Sequence, residues 1–199
     1  MNFKSLISAF AFVAAIGASA VSATADSSLE KILADGVLRV GTTGDFNPMT
    51  VRDVASGGYV GFEIDAAQTL ADDLGVELEL VPTDWKTMVA GVLSDKYDIV
   101  MSGTSISVGR AKVVGYSNPY SYAGTVPMAL NSNMDTYKTW DDANKEGVKV
   151  AVVLGTVFEE QARASFPNAT IVTVEAPASG YQEVLSGRAD VAVTSNVDA

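Results

Sequence analysis

Four short segments between Gly41 and Arg110 carry the residue types that a small-molecule site needs: GTTGDFNP over 41–48, GFEID over 61–65, Trp85, and MSGTSISVGR over 101–110. Three of them follow runs that read as strands, where open α/β sheets put their ligand groups. Arg110 offers a planar guanidinium whose paired donors match a carboxylate bidentately. Gly103 permits close backbone approach, and Ser105 adds a hydroxyl and an N–H on the same turn. Phe46 and Trp85 are placed to flank a planar or cationic body as two aromatic walls. The set suits a small, flat, carboxylate-bearing ligand better than bond-making chemistry. Each residue also has a plainer reading, as an exposed helix arginine, a Ser/Gly turn (Thr104 and Ser107 especially) or aromatic core packing. Asp45 fits a ligand cation and an Asx turn equally well.

The elements that must hold these residues are legible from apolar spacing and turn signals. Ser28–Ala34 reads as a short helix capped by Ser27 or Ser28 and closed by Gly36. Val37–Thr42 reads as a buried strand and Thr50–Val60 as a hairpin around Ser56-Gly57-Gly58. Apolar positions 62, 64, 66, 67, 70, 71 and 74 have helical spacing, and Gly75 ends that helix. Glu77–Val81 is expected to be a strand, Asp84 to cap a helix through Leu93, Tyr97–Met101 to be a strand, and Arg110–Val114 to be a short helix. A second series follows: strands at 148–153, 170–174 and 191–194, with helices at 157–166 and 179–185. Strands alternating with helices imply an α/β fold with mainly parallel sheets and helices on both faces. The turn-rich stretch from Tyr116 through Pro127 is the expected hinge between two lobes, residues 26–123 and 124–199.

Composition bounds the chemistry. The sequence has 199 residues, no cysteine, no histidine and a formal charge of −11. No disulfide, thiolate or lipid-modified cysteine is available, and the commonest metal ligand and general base are absent. No metal site or cofactor is expected, and the acidic balance argues against nucleic acid or an anionic membrane as partner. Lys4, the apolar run Leu6–Ile16 and Ala23-Thr-Ala25 read as a cleavable signal peptide over 1–25, so a periplasmic protein that is not a lipoprotein is expected. The apolar run is too short to span a bilayer, which takes about 20 apolar residues. The end at Asp198-Ala199, just after an apolar strand, reads as a second lobe whose C-terminal part lies beyond this sequence.

These motifs, in this order, resemble the family 3 solute-binding proteins, extracytoplasmic receptors that deliver polar amino acids to ABC importers. Gly61-Phe-Glu-Ile-Asp65 with Leu70, Ala71 and Leu74 is similar to the family signature helix, to which Glu63 and Asp65 are assigned. Ala66 departs mildly from that signature. The resemblance covers the chain from about Asp26 onward, more strongly in the first lobe. It implies a two-lobed periplasmic-binding-protein fold with the ligand cleft at the hinge, closing on ligand, a membrane permease as partner and a monomer. It implies that Arg110, Gly103 and Ser105 hold the ligand carboxylate and that Phe46 and Trp85 sandwich its side chain.

In the second lobe the pattern breaks. The family's Gly-Ser/Thr-Thr turn is here Gly155-Thr156-Val157, and Ser195 stands where an aspartate usually meets the α-ammonium. Thr156 and Ser195 remain the expected contacts, and either Asn196 or Asp198 compensates or the ligand is no ordinary α-amino acid, because an unpartnered buried ammonium is costly. The first lobe also resembles the periplasmic cyclohexadienyl dehydratases, whose glutamate general acid matches Asp198; on that alternative the protein is an enzyme, with a shorter acid. A tethered sensor module is the third class.

Overall fold

Caps and breakers set the element ends in the first half of the chain. The computed structural model describes residues 27–199; the leader expected over 1–25 lies outside the described residues. Helix α1 (Ser28–Asp35) begins at a capping box. Ser27 Oγ accepts from the Glu30 N–H and the Glu30 carboxylate accepts from the Ser27 N–H, satisfying donors that a helix start leaves open. Gly36, at φ 70°, ends it in the left-handed conformation. Strands β1 (Val37–Thr42), β2 (Asp45–Phe46), β3 (Thr50–Arg52) and β4 (Tyr59–Val60) follow, then α2 (Phe62–Leu74), β5 (Glu77–Pro82), α3 (Met88–Leu93), β6 (Ile99–Val100) and α4 (Val108–Ala111). A parallel sheet of order β5-β1-β6 is flanked by a small antiparallel sheet, β2-β3-β4. Leu38 and Val40 of β1 are buried against Ile32, Ala67 and Ala71, which use the apolar faces of α1 and α2.

The second half builds its own sheet and core. Here lie β7 (Thr125–Ala129), α5 (Trp140–Ala143), β8 (Lys149–Val153), α6 (Val157–Ser165), β9 (Thr170–Val174), α7 (Gly180–Leu185) and β10 (Val191–Ser195). The strand order is β7-β10-β8-β9, with β7 antiparallel and the others parallel. Val150, Val152, Val191 and Val193 pack on Ala162 and Phe166. The fold is two-lobed α/β, each lobe with a mainly parallel sheet. Among the described residues no helix is long and apolar enough to cross a membrane.

The segment joining the lobes is shorter than its composition suggests. β7 already starts at Thr125, and Pro127 pairs across from Val193 on the outer strand of the sheet, where a missing N–H is tolerated. On the first-lobe side Tyr120 Oη donates to Glu63 Oε1 at 2.6 Å, and Glu63 is fully buried. Burial pushes the Glu63 carboxyl up, against the pull of the Tyr120 bond and of the nearby Gly103 amide. On the second-lobe side the Asn196 N–H donates to Gly124 O at 2.8 Å and the Gly124 N–H donates to Asn196 Oδ1 at 2.7 Å.

Two contacts brace β1, the strand that carries the first site loop. Tyr97, 1% exposed, is wedged beside Gly41 of β1 and Gly91 of α3, and its hydroxyl donates to Met88 O at 2.8 Å. At the opposite end of β1, the Arg39 backbone N–H, Nε and Nη2 all donate to the Asp98 carboxylate, at 2.9, 3.2 and 2.6 Å. Burial pushes the Asp98 carboxyl up, but the bonds from Arg39 outweigh it and hold the group below the usual range. A depressed carboxyl stabilises the fold above its unfolded value, near pH 4, and that stability is lost as pH falls through the folded value. Asp98→Ala is therefore expected to cost about 2 kcal/mol at pH 7 in urea unfolding and to flatten the acid limb of the stability profile. An unchanged profile would contradict this assignment.

Candidate functional site

A cleft of ≈ 620 Å³ opens between the two lobes. Phe46, Trp85, Gly103, Ser105, Arg110 and Thr156 all line it. The first five converge because β1, β5 and β6 run parallel, so the loops after all three leave from one edge, whereas Thr156 comes from the second sheet. A buried polar cluster locks those loops together. Thr42 and Thr50 share a hydroxyl–hydroxyl bond of 2.6 Å, and Ser102 Oγ accepts from the Thr43 N–H at 2.9 Å.

Arg110 is 9% exposed and enters from α4, whose cap Ser107 Oγ accepts from the Arg110 N–H at 3.3 Å. Its Nη1 donates to Ser105 O and its Nη2 to Gly155 O, each at 3.0 Å. It forms no salt bridge among the described residues. A guanidinium cannot shed its proton, so this is a buried cation that carbonyl dipoles satisfy only in part. The Ser107 and Thr104 side chains are structural: Ser107 caps α4, and Thr104 Oγ1 faces Met88 Sδ at 3.9 Å.

The two aromatics do not form parallel walls. Their ring centroids lie 6.1 Å apart at 72°, an edge contact that makes a corner, not a slot. The reason is Asp45, which sequence reading leaves between a ligand role and a turn role. Both its carboxylate oxygens accept from Trp85 Nε1, at 3.0 and 2.9 Å, so it fixes the indole. Phe46 is held from behind by Gly103, at φ 64°, where an added Cβ would fall 2.7 Å from the ring. Gly103 thus makes room for Phe46, and its amide lies toward buried Glu63.

From the second lobe Thr156 caps α6: its Oγ1 accepts from the Glu159 N–H at 3.3 Å and donates to Val153 O at 2.7 Å. Ser195, expected in the cleft, does not line it. It is fully buried, and its Oγ accepts from the N–H groups of Val197 and Asp198, at 3.2 and 3.1 Å, which turns the chain after β10. That turn presents Asp198 to the cleft, its Oδ2 accepting from Thr194 Oγ1 at 2.8 Å. The remaining wall is largely apolar, with Met128 and Leu130 from the β7 side and Val157, Phe158 and Tyr181 from helix starts. Sequence reading assigns none of Met128, Leu130, Phe158 and Tyr181 to the site. The N-cap signals at Thr156 and Ser179 mark where Phe158 and Tyr181 emerge, whereas Pro127 conceals β7. No group of residues suited to a metal ion occurs among the described residues.

The family model of bacterial extracellular solute-binding proteins, family 3, matches residues 38–170. Over 198 residues the chain is 36% identical to the cyclohexadienyl dehydratase of Pseudomonas aeruginosa, covering 100% of this chain and 73% of that protein. It is 33% identical over 196 residues to the L-cystine-binding protein TcyJ of Escherichia coli strain K12, covering 98% and 73%. Among solved structures, an ancestral amino acid-binding protein described as a precursor of cyclohexadienyl dehydratase matches with TM-score 0.81 at 46% identity, over 85% of this chain and 74% of that one. The arginine-bound form of a truncated ArgBP from T. maritima matches with TM-score 0.77 at 32% identity, over 85% and 78%.

The lobes touch where Gly155 meets Trp85 and Lys86. Gly155 has φ 80°, and a Cβ there would fall 2.6 Å from Lys86 Cα, against backbone that cannot yield. Gly155→Ala is expected to push the lobes apart and break the Arg110 bond to Gly155 O. The measurement is small-angle X-ray scattering, with a larger radius of gyration as the expected result and an unchanged one as the contrary result.

Proposed function

The chain belongs to the bacterial extracellular solute-binding proteins of family 3, and on that premise we propose that it is the substrate-binding protein of an ABC importer for a small carboxylate-bearing solute, an amino acid or a close relative. The observation that carries this reading is the buried Arg110 guanidinium, which has no carboxylate partner among the described residues and faces the cleft. A ligand carboxylate completes it through the N–H groups that Ser105 O and Gly155 O leave free, with Ser105 lining the same cleft. The Phe46–Trp85 corner packs the ligand's body, and Thr156 stands at the opposing helix start.

In this reading the lobes are residues 26–123 and 124–199, and closure rotates them about the Tyr120–Gly124 segment and its Asn196 partner. Gly155 belongs to the second lobe and Arg110 to the first, so the site is assembled only when both come together. A ligand that binds the closed form better shifts the population toward it, and the closed pair of lobe surfaces is what a membrane permease recognises. Export to the periplasm by the 1–25 leader and a monomeric state complete the proposal.

A second reading, an enzyme of the cyclohexadienyl dehydratase type, is favoured by one observation: Asp198 is a carboxylate in the cleft. It lacks support at the neighbouring position, where Ser195 is a buried turn residue. Binding without turnover is the reading we adopt.

A thermal-shift panel of the common amino acids, non-amino carboxylates and prephenate tests it, since a ligand that binds only the native state raises Tm. At least one carboxylate is expected to raise Tm, and Arg110→Ala is expected to weaken that ligand by about 100-fold or more. Wild-type affinity in Arg110→Ala would refute the site, and prephenate turnover would replace the receptor with the enzyme.

A further inference from the structure

Behind the cleft lies a carboxyl group that the binding scheme leaves unused. Glu63, at the start of α2, is fully buried. The N–H groups of Phe62 and Glu63 donate to Pro48 O and Met49 O, at 3.0 and 2.9 Å, which pins this helix start to the loop that follows Phe46. Tyr120 Oη donates to Glu63 Oε1 at 2.6 Å, from the segment that joins the lobes. The Gly103 amide is directed at the same carboxyl, yet Oε2 has no hydrogen-bond partner among the described residues. Gly103 itself lines the cleft, with Ser105 and Arg110.

Among the described residues Glu63 forms no salt bridge. Arg39 of β1 is turned to Asp98, Arg52 of β3 to Tyr59 of β4, and Arg110 of α4 to Ser105 O and Gly155 O. Glu30, Lys31 and Asp35 of α1, Glu77 and Glu79 of β5 and Asp65 of α2 itself are exposed. The charged form of Glu63 therefore rests on the Tyr120 bond and the approach of one amide, while burial pushes its carboxyl up. Burial and the bond to Glu63 push the Tyr120 hydroxyl up as well, so Tyr120 stays protonated and Glu63 is the member of the pair that titrates. The carboxylates that line the cleft are better supported. Asp45 accepts from Trp85 Nε1 and is half-buried, and Asp198 accepts from Thr194 Oγ1 and is exposed to water.

A ligand carboxylate on Arg110 brings a further negative charge to the Gly103–Ser105 turn. Of two carboxylates that interact in a water-poor site, the one with the poorer set of donors takes a proton. The ligand meets a guanidinium, whereas Glu63 has an unpartnered Oε2. Resting on the reading of the cleft as a carboxylate-binding site, we propose that Glu63 takes up one proton from solvent, on Oε2, when that carboxylate binds, so that solute capture is linked to proton uptake. Glu63 is a positioning residue in this scheme and touches no ligand. With Oε2 protonated, Oε1 still accepts from Tyr120, so the tie to the connecting segment survives. By reciprocity, the proton raises ligand affinity by the factor by which the ligand raises proton affinity. Affinity is therefore highest below the Glu63 value of the free protein. It falls as pH rises to the value in the complex, and is level above that.

Titration calorimetry of the full chain tests the linkage, with L-arginine, L-glutamate, L-phenylalanine and 3-phenylpropanoate as probes between about pH 5.5 and 8. The sequence has no histidine and no cysteine, so no side chain with an ordinary value titrates across that window. Each titration is run in two buffers of unlike ionisation enthalpy, whose difference in heat counts the protons taken up. For the probe that binds most tightly, wild type is expected to take up protons, approaching one per ligand, and to lose about 10-fold in affinity across the window. Glu63→Gln, a neutral copy of the protonated group, is expected to take up none and to bind with one affinity at every pH. Tyr120→Phe leaves Glu63 in place but removes the bond that favours its charged form, and is expected to move the uptake about one unit higher in pH. A purely structural role for Glu63 would weaken binding at every pH in Glu63→Gln without abolishing uptake. Binding without uptake in wild type, or uptake that persists in Glu63→Gln, would overturn the assignment and leave the carboxylate site standing. Loss of the uptake in Asp198→Asn instead would place the proton on Asp198. No binding by any of the four probes would overturn both.

Discussion

The structure is organised around a positive charge that the protein buries and does not neutralise. Arg110 gives up most of its contact with water and receives in return, among the described residues, two carbonyl oxygens, Ser105 O and Gly155 O. Breaking or withholding the partner of a buried charge typically costs several kcal/mol. This deficit lies at the junction of the two lobes. Because one of the two carbonyls comes from each lobe, the guanidinium senses their separation as well as the chemistry of what lies between them.

Everything around Arg110 serves to hold it and its neighbours still. The Thr42–Thr50–Ser102 cluster ties the ends of β1, β3 and β6, so that the loops bearing Asp45, Phe46 and Gly103 cannot drift independently. Asp45 fixes the Trp85 indole, and Gly103 lets Phe46 lie against the backbone. Each of these residues supports another that faces the cleft, an arrangement that lowers the entropy cost of ordering a ligand. Buried Glu63 extends the same logic outward: through Tyr120 it ties the lobe-connecting segment to the start of α2.

Local signals in the sequence were enough for most elements, because those elements are set by local physics. α1 shows its Ser27 cap and its Gly36 stop, and α2 shows both its apolar spacing and Gly75. β7 was not legible, because Pro127 reads as a turn until the sheet edge is known. α5 has a Thr139–Asp142 capping box but only four residues, too few to give a period, and β2 is a two-residue strand defined wholly by its pairing with β3. At the site, residue types pointed to Arg110, Phe46 and Trp85, yet the corner angle of the two rings depends on Asp45, forty residues from Trp85 in sequence. Ser195 shows the opposite limit. Its position at the end of β10 was readable, but which way its hydroxyl turns is decided by the two N–H groups it caps.

The central claim is that this cleft exists to complete Arg110 with a ligand carboxylate. The most direct measurement takes whichever acid binds best and compares it, by titration calorimetry, with its own primary amide. The amide keeps the shape and loses the negative charge. The account predicts that it binds at least about 100-fold more weakly, since a charge-assisted bidentate pair is replaced by a neutral contact. Equal affinity for acid and amide would contradict it and would leave the buried guanidinium without a role.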